Sequence, residues 1–114
     1  MAGQIRIREA TGTWVVRAGG AVLGESTRAL ELSENGYPAR IYFPREDIAT
    51  AFLDGSDKTT TCPFKGEASY FSIVTKSTTI SDAVWSYVSP IEDVARIAGH
   101  LSFAEGDQVT VEQL

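Results

Sequence analysis

"RALELSENGYPARIYF", residues 28–43, decides the fold class of this 114-residue chain. Two runs of alternating apolar and polar residues flank Asn35-Gly36, a dipeptide typical of the tight turn between antiparallel strands. Directly upstream, "TWVVRAGGAVLGES", residues 13–26, predicts a second hairpin, because Gly19-Gly20 tolerates the positive φ of such a turn. Two successive hairpins favour a fold built from antiparallel sheets.

Further strand patterns lie on both sides of these hairpins. "QIRIRE", residues 4–9, alternates in the same way, and "QVTVEQL", residues 108–114, predicts a last edge strand. Residues 68–88, "ASYFSIVTKSTTISDAVWSYV", are rich in aromatic and β-branched residues and predict two central strands joined by a polar loop near 76–82. The pattern therefore predicts a mainly β (α+β) domain.

Two stretches have helical patterns. In "PREDIATAFLDG", residues 44–55, acidic residues near the start and a shared apolar face predict a helix of about two turns that ends at Gly55. In "SPIEDVARIAGH", residues 89–100, Ser89 and Glu92 fit a capping box, Pro90 suits the first helical position, and Gly99 suits the stop. The apolar stripe predicted for this second helix comprises Ile91, Val94, Ala95 and Ala98.

Composition limits the possible classes of function. The net charge of −5 disfavours nucleic acid, whose binding proteins usually present a clustered basic face. One cysteine and one histidine cannot form an internal disulfide or a tetrahedral zinc site, so we expect no metal and predict no cofactor. No signal-peptide core or apolar stretch of spanning length is present, and we expect a cytoplasmic protein without membrane contact. The absence of a linker or repeat predicts one domain, residues 1–114.

Three blocks of sequence carry a family resemblance over roughly residues 13–112. They are "VLGESTRALELSENGYPARIYFPREDI", "TTTCPFKGEASYFSI" and "AVWSYVSPIEDVARIAGHLSF". The most specific piece is T-x-C-P-[FY]-K-G-x-A-x-Y, which is met by Thr60, Cys62, Pro63, Phe64, Lys65, Gly66, Ala68 and Tyr70. With these blocks, the chain resembles the bacterial family catalogued as domain of unknown function 427, sometimes filed as nucleotidyltransferase-like.

The resemblance implies a compact, tent-like fold in which two antiparallel sheets meet at an angle, here accompanied by two short helices. Several tent-like proteins carry a four-cysteine zinc site whose ligands this sequence lacks, so packing would have to replace the metal. The sequence also lacks a Gly-rich phosphate loop and a paired-carboxylate metal motif, and it therefore gives no support to nucleotide transfer.

The stretch "TTTCPFKGEASY", residues 59–70, predicts one wall of a ligand pocket. Pro63 ends strand pairing because it lacks an N–H donor, and Gly66 lets the chain turn into the next strand. The side chains of Cys62 and Lys65 can then face a common cavity, where the ammonium would favour the thiolate. The competing interpretation is that Cys62 packs as a small apolar residue and Lys65 is a solvated turn residue.

Aromatic residues supply the second part of the predicted pocket. Trp85 and Tyr87 alternate along one strand and would point to the same side of the sheet. Together with Tyr42 and Tyr70, they offer flat apolar faces and polar tips that can orient a ligand. The alternative is that these rings only fill the core of a small domain.

Three charged residues are weaker candidates. Arg28 can clamp a carboxylate or phosphate of a ligand, or it can form a surface ion pair. His100 follows the second predicted helix and can interact with its carboxyl end or transfer protons. Glu67 lies next to the turn, where a single carboxylate is weak evidence for acid or base chemistry.

Three functions remain open from the sequence. The preferred one is a domain that binds a small molecule of unknown identity between the Cys62–Lys65 turn and the aromatic strands. The second is a small enzyme with Cys62 as nucleophile and Lys65 as activator. The third is a protein-interaction module that uses an exposed sheet edge. Both a monomer and a homodimer are compatible with the sequence.

Overall fold

The structure is a computed structural model that describes residues 4–114. The first three residues, which the sequence analysis counts in the single domain, lie outside the described residues. The described chain forms ten strands and three short 3-10 helices. The strands are β1 (Ile5–Glu9), β2 (Trp14–Ala18), β3 (Ala21–Ser26), β4 (Leu30–Glu34), β5 (Tyr37–Tyr42), β6 (Leu53–Cys62), β7 (Gly66–Val74), β8 (Thr79–Ser86), β9 (Ser102–Phe103) and β10 (Val109–Gln113). The 3-10 helices span Arg45–Asp47, Thr50–Phe52 and Glu92–Ile97.

The described strands form three antiparallel sheets, with the orders β1-β4-β5, β10-β2-β3 and β6-β7-β8-β9. The mainly β prediction is confirmed, whereas the predicted count of two sheets is wrong. Sheet boundaries depend on pairing between strands that are distant in sequence, which local patterns do not specify. Within residues 4–114, a bridge joins the first and third sheets, since Phe43 and Leu101 exchange backbone hydrogen bonds of 2.8 and 2.9 Å. The tent-like arrangement stays a prediction.

Both predicted hairpins are confirmed. Gly19 and Gly20 connect β2 to β3 with φ of 55° and 81°, and Gly36, with φ of 85°, lies in the turn between β4 and β5. The predicted edge strand near the C-terminus is β10, which pairs with β2. β8 begins at Thr79, so the polar loop between the two central strands is shorter than predicted.

The first predicted helix is wrong in type and in extent. Residues 45–52 form two single 3-10 turns, separated by extended backbone at Ile48 (φ −110°, ψ 137°). Ile48 bridges Gly24 in β3, and the Ala49 N–H donates to the Leu23 carbonyl at 2.7 Å. Because pairing with β3 satisfies the backbone here, it overrides the local helical pattern. Gly55, predicted as the helix stop, lies in β6 opposite Phe71.

The second predicted helix is correct in position but wrong in its details. It is a 3-10 helix that begins at Glu92 and is kinked at Val94 (φ −121°, ψ 27°). The predicted capping box is absent, because Ile91 occupies the N-cap and makes no side-chain cap hydrogen bond. The buried residues of this helix are Val94 and Ile97; of the predicted stripe, only Val94 is buried. Gly99 has the predicted left-handed conformation, with φ of 72°.

The buried residues form two apolar clusters. In the larger one, Phe43 and Phe103 meet edge to face with ring centroids 5.8 Å apart. The second cluster comprises Leu30, Leu32, Tyr42, Ala68, Tyr87, Val94 and Ile97, and it lies between the β4–β5 and β7–β8 hairpins. No helix in residues 4–114 has the length and apolar character that crossing a membrane requires.

Candidate functional site

A cavity of about 470 Å³ opens beside the second apolar cluster, between the β4–β5 hairpin and strands β6, β7 and β8. Six of the seven residues predicted to bind a ligand line it: Tyr42, Cys62, Lys65, Tyr70, Trp85 and Tyr87. The other lining residues are Leu32, Glu34, Tyr37, Pro38, Arg40, Pro63 and Phe64. The structure therefore brings the cysteine-lysine turn and the four predicted aromatic residues to one hollow.

The turn that carries Cys62 and Lys65 has a defined backbone. β6 ends at Cys62, whose carbonyl accepts a hydrogen bond from the Lys65 N–H at 3.2 Å. Gly66 then begins β7 with φ of 112°, a conformation that side chains rarely adopt. From outside the turn, the Ile91 N–H donates to the Lys65 carbonyl at 2.9 Å. The local geometry thus agrees with the predicted roles of Pro63 and Gly66.

Lys65 is not a solvated turn residue. Its side chain is 11% exposed, and its Nζ lies 2.7 Å from Oε1 of Glu34, whose side chain is 13% exposed. Burial lowers the pKa of Lys65, but the hydrogen bond with Glu34 and the electrostatic interactions with Cys62 and Glu34 outweigh it, so the pKa is above its ordinary value. Lys65 is therefore an ammonium at neutral pH, and it cannot act there as a base.

Glu34 is a site residue that the sequence analysis missed. It lies at the end of β4, and its alternation with Leu32 places both side chains on the cavity side of the hairpin. The same alternation along β5 places Arg40 and Tyr42 on that side. This periodicity was visible in the sequence, but it did not reveal which face would border a cavity.

Arg40 is the second residue that the sequence analysis missed. Its guanidinium carbon lies 5.6 Å from the centroid of the Trp85 ring, in the range of a cation–π contact. Among the described residues, no carboxylate oxygen lies within 4.0 Å of its side-chain nitrogens. Arg40 thus brings to the cavity a charge that no described carboxylate neutralises at contact distance.

The aromatic wall joins two sheets. Trp85 Nε1 donates a hydrogen bond of 3.1 Å to the Tyr42 hydroxyl, and Trp85 lies directly opposite Tyr70 in the β7–β8 pair. Tyr42 is 1% exposed, and burial raises the pKa of its phenol. The two interpretations of the rings are therefore compatible, because Tyr42 fills the core and also lines the cavity.

Tyr87 combines burial with an unused polar group. The residue is 6% exposed, yet it lines the cavity. Its phenol makes no side-chain hydrogen bond within residues 4–114, and burial raises its pKa well above the ordinary value. At neutral pH this hydroxyl is therefore an uncharged group that can donate to a ligand and accept from it.

Arg28 lies away from the cavity, beyond the end of β3. Its guanidinium pairs with Asp47 at 3.1 Å and approaches Glu46 at 3.7 Å. Ser26 Oγ donates to Asp47 at 2.7 Å, and this hydrogen bond, together with Arg28, holds the pKa of Asp47 below its ordinary value. The structure thus shows Arg28 in the ion pair that was its alternative interpretation; ligand binding by Arg28 stays a prediction.

The two candidates for proton transfer are also separate from the cavity lining. Glu67 is an exposed residue of β7 that lies opposite Thr61. The His100 N–H donates to the Ile97 carbonyl at 2.9 Å, and its Nδ1 lies 3.2 Å from the Ala98 carbonyl oxygen. His100 therefore lies at the carboxyl end of the last 3-10 helix. Within the described residues, His, Cys, Asp and Glu do not gather into groups of three or more that would suit a metal ion.

Comparison with known families gives one finding. Residues 6–113, nearly the whole chain, match the family model described as "Domain of unknown function (DUF427)". No curated protein matches the sequence. The family description states no ligand and no reaction, so the geometry of the cavity has to carry any functional argument.

Proposed function

The chain belongs to the DUF427 family, and we propose that it is a small-ligand-binding β domain whose site is the cavity beside the Cys62–Lys65 turn. The observation that carries this proposal is convergence: a turn from the third sheet and a strand face from the first sheet meet at one hollow. Its volume of about 470 Å³ lies in the range of small-molecule sites.

The chemistry of the lining supports the proposal. Six of the thirteen lining residues are aromatic, and they surround a few polar groups: an ammonium, a carboxylate, a guanidinium, a thiol and several phenols. Small-molecule sites combine apolar walls with a small number of placed polar groups in this way.

The two tryptophans allow a direct test. The Trp85 indole N–H donates to Tyr42 in the cavity wall, whereas the Trp14 indole N–H donates to the Thr11 carbonyl outside it. We would screen a fragment library by two-dimensional NMR and assign the indole signals with Trp14→Phe. At least one fragment should shift the Trp85 indole signal and leave the Trp14 signal in place. A library that shifts neither signal, or always both equally, contradicts the proposal.

A second candidate function is catalysis by Cys62. The observation that favours it is that the half-buried thiol borders the same cavity as the Lys65 ammonium. In this mechanism the Lys65 ammonium stabilises the Cys62 thiolate, which adds to a carbonyl carbon of the bound ligand. The C–S bond forms as the C=O π bond breaks, and its electron pair moves to the carbonyl oxygen. Iodoacetamide labelling across pH tests it: wild-type Cys62 should react faster at neutral pH than Cys62 in Lys65→Met. Equal rates in the two proteins would remove the case for an activated nucleophile.

A further inference from the structure

We propose that the ligand of this cavity is a small planar aromatic carboxylate, with its carboxylate on the Arg40 guanidinium and its ring against the aromatic wall. This inference rests on the proposed function and adds a ligand class to it. It depends on three features of the lining: the distribution of charge, the unpaired N–H groups of Arg40, and the exposed aromatic rings.

The charges of the lining favour an anion. At neutral pH the lining carries three charged side chains, Glu34, Arg40 and Lys65. Glu34 and Lys65 neutralise each other at 2.7 Å, so Arg40 gives the cavity a net positive charge. The chain as a whole has a net charge of −5. A low-dielectric wall strengthens the attraction between such a charge and an anionic ligand.

The N–H groups of the Arg40 side chain make no hydrogen bond or ion pair with the described residues, which leaves them for a ligand. The guanidinium carbon lies over the Trp85 ring, 5.6 Å from its centroid. The N–H groups point outward in the plane of that cation, and a carboxylate can accept two of them side by side. Trp85 is in turn fixed by its hydrogen bond to Tyr42, so the position of the cation is supported by a rigid wall.

The mouth of the cavity explains why the rest of the ligand should be an aromatic ring. Tyr37 and Phe64, both lining residues, are 68% and 41% exposed, and Tyr70, which also lines the cavity, is half-buried. A flat apolar ring placed among these side chains would remove their faces from water. The neutral phenol of Tyr87 offers a further donor to an oxygen of the ligand.

The same features exclude a polyphosphate. Phosphate sites present several cations or a row of backbone N–H groups at a helix N-terminus. This cavity offers a single unneutralised cation, Arg40, because Lys65 is paired with Glu34. A ligand with one negative charge fits this balance better.

Three probes that share one ring system test the ligand class: 2-naphthoate, neutral 2-naphthamide and cationic 2-naphthylmethylammonium. We would titrate each into the wild-type protein and follow the Trp85 indole signal, with Trp14 as the internal reference. The carboxylate should bind at least about tenfold more tightly than the amide, as expected for a charge-assisted pair. Arg40→Gln should abolish that preference, and the matched control Arg17→Gln, which removes a surface arginine of β2, should keep it.

The outcomes distinguish a failure of the carboxylate inference from a failure of the proposed ligand-binding function. If the three probes bind at Trp85 with equal affinity, or if the ammonium binds best, the carboxylate inference is overturned and ligand binding stands. If no probe binds although the fragment library finds another ligand, the carboxylate inference alone is overturned. If neither a probe nor a fragment shifts the Trp85 signal, both proposals are overturned. The comparison of probes on the wild-type protein remains decisive even if Arg40→Gln does not fold.

Discussion

Two cation–carboxylate pairs in this protein differ in their surroundings. Lys65 and Glu34 meet at 2.7 Å beside the cavity, with side chains 11% and 13% exposed, whereas Arg28 and Asp47 meet at 3.1 Å with the arginine more than half exposed. The sequence suggested ligand contact for both cations. The difference teaches that the surroundings decide the energetic role of a charge, because water screens one pair and is largely excluded from the other.

The largest effect should follow from breaking the buried pair. In Glu34→Gln, the Lys65 ammonium keeps its burial but loses its carboxylate, and we expect the free energy of unfolding to fall by about 3 kcal/mol. Urea denaturation measures this change. The matched control is the double variant Glu34→Gln/Lys65→Met, which removes both charges and should recover part of the lost stability. A double variant less stable than Glu34→Gln would show that the pair is not the source of the effect.

A smaller effect is expected from the hydroxyl that supports the exposed pair. Ser26 is 3% exposed. Its Oγ donates a hydrogen bond to Asp47 and accepts one of 2.9 Å from the backbone N–H of Arg28. Ser26→Ala should therefore lower the free energy of unfolding by about 1–2 kcal/mol, since it leaves this N–H without its acceptor. Thermal and urea unfolding check this value. A loss as large as that of Glu34→Gln would contradict the ranking of the two regions.

The exposed ion pair itself should contribute less. Arg28→Gln should cost under about 1 kcal/mol at low salt, and 1 M NaCl should reduce the cost further, because salt screens surface charges. Denaturation at the two salt concentrations measures the difference between wild type and variant. If salt leaves this difference unchanged, the contribution of Arg28 is not electrostatic.

The smallest expected change is the pH dependence of the stability difference between wild type and Arg28→Gln. The pKa of Asp47 is lowered by the Ser26 hydrogen bond and by Arg28, so the folded state stabilises the carboxylate. That stabilisation is present above the unfolded pKa, near 3.8, and is lost as pH falls through the lower folded value. The wild-type advantage over Arg28→Gln should therefore shrink below about pH 4. An advantage that grows in acid would contradict the assignment.

Lys65 should respond at the opposite end of the pH scale. Its folded pKa is raised, so its contribution is complete below the unfolded value of 10.5 and is lost as pH rises through the folded one. The stability difference between wild type and the double variant Glu34→Gln/Lys65→Met, which leaves no unpaired carboxylate, should stay constant through neutral pH and fall in strong alkali. A fall that begins near pH 7 would show that Lys65 titrates as a neutralised buried amine instead.

Local patterns predicted the hairpins because their signals are confined to two residues. Gly19-Gly20 and Gly36 occupy the left-handed backbone that such turns need, and no distant partner has to be known. The prediction of the first helix was wrong because the backbone of residues 45–52 pairs with β3, which lies about 20 residues earlier in the sequence. Gly24 lets Ile48 approach so closely that a Cβ at this glycine would lie 2.5 Å from the Asp47 carbonyl oxygen.

The residues of the site also divide into those that local patterns predict and those that depend on tertiary packing. Cys62 and Lys65 are near in sequence, and the alternation of Trp85 with Tyr87 is local, so the sequence could predict them. Glu34 and Arg40 reach the cavity through the packing of the first sheet against the third, which no local pattern specifies. Only the tertiary structure identifies these two charged residues as part of the cavity lining.

The hydrogen bond from the Ile91 N–H to the Lys65 carbonyl has a consequence for recognition. It joins the β6–β7 connection to a segment outside the third sheet, so the Lys65 backbone is held both from within the turn, by the Cys62 carbonyl, and from outside it. For the ligand that we propose, little affinity would then be lost to the ordering of this turn. The turn would favour ligands that match its shape over ligands that require it to move.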